Sequence, residues 1–137
     1  MTYLIDANVL SDPTKPEPHP GVHEWLRAHE TYLVVDPIVL GEIHFSILLL
    51  PRGRKRRNLE RWFHTIITAI TCLPWDANVG LQWAKLLAEL RRTGQSMPIK
   101  DSMIAATALA HKLTVVTRND RDFKKAGVPV INPFQTV

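Results

Sequence analysis

Apolar positions in this chain alternate between short β-type runs and longer helical faces. Tyr3-Leu4-Ile5 is a brief apolar run that stops at Asp6. The next stretch, Asp12 to Pro20, carries Pro13, Pro16, Pro18 and Pro20 and reads as a loop or irregular turn. Val22, Trp25 and Leu26 give a short helix face, and Thr31 to Val35 is a β-branched and aromatic run. Asp36 is placed to cap a helix with Pro37 at its first position, running to about Leu50, where Pro51-Arg52-Gly53 breaks it. A second long helix is expected over Lys55 to Ala69, with Leu59, Trp62, Phe63, Ile66, Ile67 and Ile70 on one face. Thr71 to Leu73 suits a short strand. Asp76 then caps a helix in which Val79, Trp83, Leu86, Leu87 and Leu90 recur at helical spacing. After a loop over Thr93 to Pro98, Asp101 opens a helix rich in Ala and Leu that ends near Lys112. Thr114 to Thr117 reads as a buried strand and Val128 to Ile131 as a last short one.

Strands alternating with helices predict an α/β sandwich around a parallel sheet. Such sheets place ligands beyond the carboxyl ends of their strands, where the strand order reverses. A length of 137 residues fits one domain over 1–137. The 45% hydrophobic and 22% charged fractions are those of a globular protein. Cys72 is alone, which excludes an internal disulfide. No apolar run reaches the ~20 residues of a membrane helix, and a strand begins at Tyr3, so the expectation is a cytoplasmic protein without a signal peptide or membrane partner. The net charge of +4 leans towards polyanionic partners.

The chemistry-bearing residues are acids at strand ends and helix starts. Asp6 directly follows the first strand, and Asp120, with Asn119 beside it, lies just past the Thr114–Thr117 strand. Asp101 heads the helix leading into that strand, and Glu42 lies in the first turns of a strongly apolar helix. Each has a structural reading. Asp36 and Asp76 look like helix caps, Asp101 could be one too, and Glu42 could be a solvated helix residue, although an unpaired charge among Ile38, Val39, Leu40, Ile43 and Phe45 is costly. Asp6 resists this treatment, because Asp is depleted in strands and costly at a buried strand end. Two carboxylates ~5 Å apart repel by about 3 kcal/mol at an effective dielectric of ~20. A cluster of them calls for protons, basic side chains or cations, and oxygen-only ligands suit Mg²⁺ or Mn²⁺, the ions of phosphodiester hydrolysis.

The blocks Leu4-Ile5-Asp6-Ala7-Asn8-Val9-Leu10, Gly41-Glu42-Ile43, Asp101-Ser102-Met103-Ile104-Ala105-Ala106-Thr107-Ala108, Val116-Thr117-Arg118-Asn119 and Val130-Ile131-Asn132-Pro133-Phe134 follow one another along nearly the whole chain. In that order they resemble PIN-domain nucleases, especially the VapC and FitB-type toxins of bacterial toxin–antitoxin pairs. The resemblance implies a PIN-like three-layer α/β sandwich with five parallel strands flanked by helices. It also implies a Mg²⁺- or Mn²⁺-dependent endoribonuclease acting on RNA, a cognate antitoxin that blocks the site, and a homodimer. Asp6, Glu42 and Asp101 fall on the family's three acidic positions and would be its metal ligands. The fourth position stays open: Asp120 or Asp122 supplies the charge, or Asn119 orients a metal-bound water. Ala7 stands where a small hydroxyl residue is common, which removes one possible hydrogen bond to the site.

Arg52, Arg54, Lys55, Arg56, Arg57 and Arg61 form a basic stretch suited either to an RNA backbone or to a solvated helix start or partner surface, and Arg118 is a candidate phosphate-steering residue. His19 and His23 are separated by Pro20-Gly21, which argues against a helical zinc pair. Trp25, Trp62 and Trp83 lie on apolar helical faces and read as packing residues. No glycine-rich phosphate loop follows a strand, and no serine has a nucleophile setting. A competing reading from another class is a catalytically degraded PIN-like module that binds RNA or a protein partner without cutting. A receiver-like signalling domain fits poorly, since it expects an acidic pair after the first strand.

Overall fold

A computed structural model describes residues 2–135. The first strand, β1 (Tyr3–Ile5), runs into a one-turn helix, α1 (Ala7–Leu10), capped by Asp6. A 3-10 turn (Asp12–Thr14) leads to α2 (Pro20–Ala28), and another (Glu30–Tyr32) leads to β2 (Leu33–Val35). Next come α3 (Pro37–Leu48) and α4 (Arg54–Ala69), on either side of the Pro51-Arg52-Gly53 break. The described chain closes with β3 (Thr71–Cys72), α5 (Ala77–Arg92), α6 (Ile99–His111), β4 (Thr114–Val116), α7 (Asp120–Lys124) and β5 (Val130–Ile131).

The strands form one parallel sheet in the order β3-β2-β1-β4-β5. Leu4, Ile5, Val35, Val115 and Val116 are fully buried, as expected when helices cover both faces of a parallel sheet. The chain winds outward from β1 through β2 to β3 and then crosses to β4 on the other side of β1. The order therefore reverses between β1 and β4. Ile5 pairs with Val116 there, and the Asp6 amide donates to the Val116 carbonyl at 2.9 Å. Asp6 and Thr117 thus stand side by side at the switch point, where ligands of open α/β sheets bind.

The expected caps form at Asp36, which accepts from the Val39 amide at 3.0 Å, and at Asp76, which accepts from the Val79 amide at 3.1 Å. Two expectations need correcting. The Asp12–Pro20 segment is not loop throughout: Asp12-Pro13-Thr14 forms a 3-10 turn, and Pro20 is the first residue of α2. That helix is capped by the His19 ring, whose Nδ1 accepts from Gly21 and Val22 amides at 3.1 and 3.3 Å. The α6 helix begins at Ile99, so Asp101 lies inside its first turn, and Pro98 occupies the cap position. In addition, α1 and α7 interrupt segments that show no apolar period, because four or five residues are too few to display one.

Tryptophans tie α5 and the segment before it to α6: the Trp83 indole donates to Ser102 Oγ at 3.0 Å and the Trp75 indole to the Met103 carbonyl at 3.1 Å. Ser102 is fully buried in this contact, in keeping with its lack of a nucleophile role.

Asp36 also ties α3 to α6. Its second oxygen accepts from Thr107 Oγ1 at 2.7 Å, and both residues are fully buried. Thr107→Val strips that oxygen of its donor while preserving shape, so urea denaturation should show a loss of about 1–3 kcal/mol, with Thr107→Ser largely restoring stability. A Thr107→Val protein as stable as the wild type would show that this bond does not hold the two helices.

Candidate active site

Asp6 is held from three directions. Oδ1 accepts from the Ala7 amide at 2.8 Å, and Oδ2 accepts from Thr117 Oγ1 at 2.7 Å and from the Asn8 side-chain amide at 3.3 Å. Asn8 in turn accepts from the Arg118 amide at 3.0 Å, and Thr117 Oγ1 accepts from the Asn119 amide at 3.0 Å. One carboxylate thus joins the ends of β1 and β4 and both loops that leave them. Burial nevertheless raises the Asp6 pKa, outweighing these donors.

Glu42 and Asp101 face the same rim. The pKa of Glu42 is raised by burial and then by the Asp6 charge. That of Asp101 is pushed up to about 7, first by burial and then by the charges of Asp6, Glu42 and Asp122. The three acids therefore lie within one another's electrostatic field although 36 and 59 positions separate them along the chain. Glu42 Oε1 and Asp101 Oδ2 are buried without any hydrogen-bond partner. Buried carboxylate oxygens left unpaired are costly, and a bound cation would relieve both. Among the described residues no three His, Cys, Asp or Glu side chains stand together as a ready-made metal site. Mg²⁺ does not require one, since it keeps several waters and takes one or two carboxylates. The donor set therefore fits a hard divalent ion.

Around the fourth position the candidates separate. Asn119 lies beside Asp101 and favours its ionised form. Asp120 opens α7 and faces Lys124 at 4.0 Å, whereas Asp122, which pairs with Lys125 at 3.3 Å, is the further acid acting on Asp101. The Ala7 backbone amide supports Asp6 whatever side chain stands there.

Sequence reasoning passed over Thr117, Asn8 and Lys100. Thr117 had a signal, since it follows β4 as Asp6 follows β1. Asn8 had none beyond its nearness to Asp6. The Lys100 ammonium stands 3.7 Å from Glu42 Oε2 and lowers the pKa of both Glu42 and Asp6. An apolar groove of about 510 Å³, lined by Ile43, Ile47, Leu59 and Trp62 and edged by Lys15, Lys55 and Lys100, opens beside Glu42 and Asn8.

Because these carboxyl groups hold their protons more tightly when folded, each one disfavours the folded state once it must ionise. That penalty is absent below the unfolded pKa near 4 and grows up to the folded value of about 7 for Asp101. With chelator present, the melting temperature should fall as pH rises from 5 to 7.5, and Asp101→Asn should flatten the slope. A wild-type melting temperature that climbs through this window would contradict the electrostatic picture.

A family model for the PIN domain matches residues 3–129. The chain is 37% identical to the plasmid stability protein StbB of Pseudomonas syringae pv. tomato, over 96% of this chain and 98% of that protein. It is 34% identical to the toxin FitB of Neisseria gonorrhoeae, over 96% and 97%, and 33% identical to the VapC ribonuclease Y4jK of Sinorhizobium fredii, over 96% and 97%. Among solved structures it is similar to FitAcB from Neisseria gonorrhoeae, with a TM-score of 0.92, 32% identity and coverage of 98% of this chain and 100% of that one. With Asp6 at the switch point of a five-stranded parallel sheet and a family match over most of its length, the chain belongs to the PIN-domain family.

Proposed function

We propose that this chain is a Mg²⁺- or Mn²⁺-dependent endoribonuclease, the toxin of a toxin–antitoxin pair, folded as one domain. The observation that carries this reading is the set of carboxylates at the switch point whose pKa values burial raises, two of them with an unpartnered buried oxygen. Support for RNA as substrate comes from relatives described as ribonucleases, including a tRNA(fMet)-specific endonuclease VapC from Shigella flexneri at 25% identity. Support for an antitoxin partner comes from the similar structure of FitAB bound to a DNA fragment, at 30% identity and a TM-score of 0.94. The groove beside the acids is a suitable seat for such a partner. Exposed Phe45, Leu48 and Leu49 on and just after α3 offer apolar surface for a homodimer. No described helix is long and apolar enough to cross a membrane, and we place the protein in the cytoplasm.

In this reading Asp6 and Asp101 would be the principal ligands of the metal, with Glu42 completing the acidic shell, and Asp122 rather than Asp120 would complete the acidic rim with Asn119 beside it. When bound, the ion supplies an activated water and charge stabilisation for the in-line displacement at phosphorus. Thr117 and Asn8 keep the Asp6 carboxylate oriented by donating to it. Glu42, part-buried at the groove's edge, would orient the attacking water. Arg118, whose guanidinium lies 4.6 Å over the Phe134 ring, stands at the rim where an RNA phosphate would arrive.

Asp6→Asn and Asp101→Asn should each lower RNA cleavage by at least about 100-fold while circular dichroism and melting show a folded protein. Thorough chelation should abolish cleavage and Mn²⁺ should restore it. Undiminished cleavage by both variants, or by the chelated enzyme, would overturn the proposal. A protein that neither cleaves RNA nor binds Mn²⁺ in an Asp6-dependent way would favour the non-cutting module instead.

A further inference from the structure

We infer that Lys100 is the resident counter-ion of the acidic rim: its ammonium pairs with Glu42 in the metal-free protein and competes with a divalent cation for the field of these carboxylates. The inference rests on the metal-dependent reading above and adds to it a competitor built into the chain.

Glu42 has one oxygen buried without a partner and the other 3.7 Å from Lys100 Nζ. Among the described residues, Lys100 is the basic side chain whose charge favours the ionised forms of both Glu42 and Asp6. The two partners differ in freedom. The Glu42 side chain is 22% exposed, whereas that of Lys100 is 59% exposed on a flexible four-carbon stem. The lysine is therefore the partner that moves.

Its local setting gives it little reason to stay. Lys100 lies in the first turn of α6, where the positive end of the helix dipole disfavours a cation. No acid of α6 other than Asp101, which is itself part of the rim, precedes or follows it. What draws the ammonium inward is the field of the clustered carboxylates. A divalent cation competes for the same field with twice the charge and with direct oxygen coordination. Once the ion is in place, repulsion between it and Lys100 drives the ammonium outward into solvent.

Calorimetric titration of the chelator-stripped protein with Mn²⁺, without RNA, tests this directly. Lys100→Met keeps the stem and removes the charge, and it should tighten Mn²⁺ binding by about fivefold at low salt. Lys100→Arg should return the affinity to the wild-type value, and raising the salt should shrink the difference. Adding Asp6→Asn to Lys100→Met should remove the tight site, which locates the measured ion. If the wild type shows Asp6-dependent binding and Lys100→Met binds no tighter, the role of Lys100 is overturned and the metal-dependent reading survives. If neither protein shows Asp6-dependent binding, both fall.

Discussion

The hydrogen bond from Thr117 to Asp6 closes the sheet at the point where its order reverses, and the site is organised around it. It joins residues 111 positions apart and fixes the register in which β1 and β4 end together. The same carboxylate caps α1 and receives Asn8, so the loops leaving both strands are positioned by one side chain. Placing that charge out of water is unfavourable, as its raised pKa shows. Bringing Glu42 and Asp101 to the same rim makes it more so. The fold tolerates this because the rim is one edge of an otherwise well-packed core, in which Leu4, Ile5, Val9, Val115 and Val116 are fully buried.

Much of the architecture was legible in the sequence because its signals are local. The apolar strands, the Asp36-Pro37 and Asp76 helix starts and the Pro51–Gly53 break each need only a few adjacent residues to be recognised, and each stands where expected. What was missed lacked a local signal. The helices α1 and α7 are shorter than an apolar repeat, and the start of α6 is obscured by Pro98, which takes the cap position without a side-chain bond. His19 as a cap was unreadable, because a ring nitrogen serving two helix amides depends on which way the ring faces.

For the site, the sequence pointed to acids at strand ends, and the structure brings Asp6, Glu42 and Asp101 within each other's field. The partners that orient and balance them are another matter. Asn8 and Lys100 act through geometry that no spacing rule encodes, Thr117 was marked only by its place after β4, and Asp120 and Asp122 are two residues apart yet face different neighbours. Asp36 shows the opposite case. It is the helix cap its position suggested, and it also adds charge to the rim, raising the pKa of Glu42.

The central claim is that these carboxylates form one cation site. Anomalous diffraction from a crystal soaked in Mn²⁺ tests it most directly. A manganese peak bonded to oxygens of Asp6 and Asp101 is the expected result. Full occupancy of Mn²⁺ elsewhere on the molecule, with no peak at this rim, would contradict it.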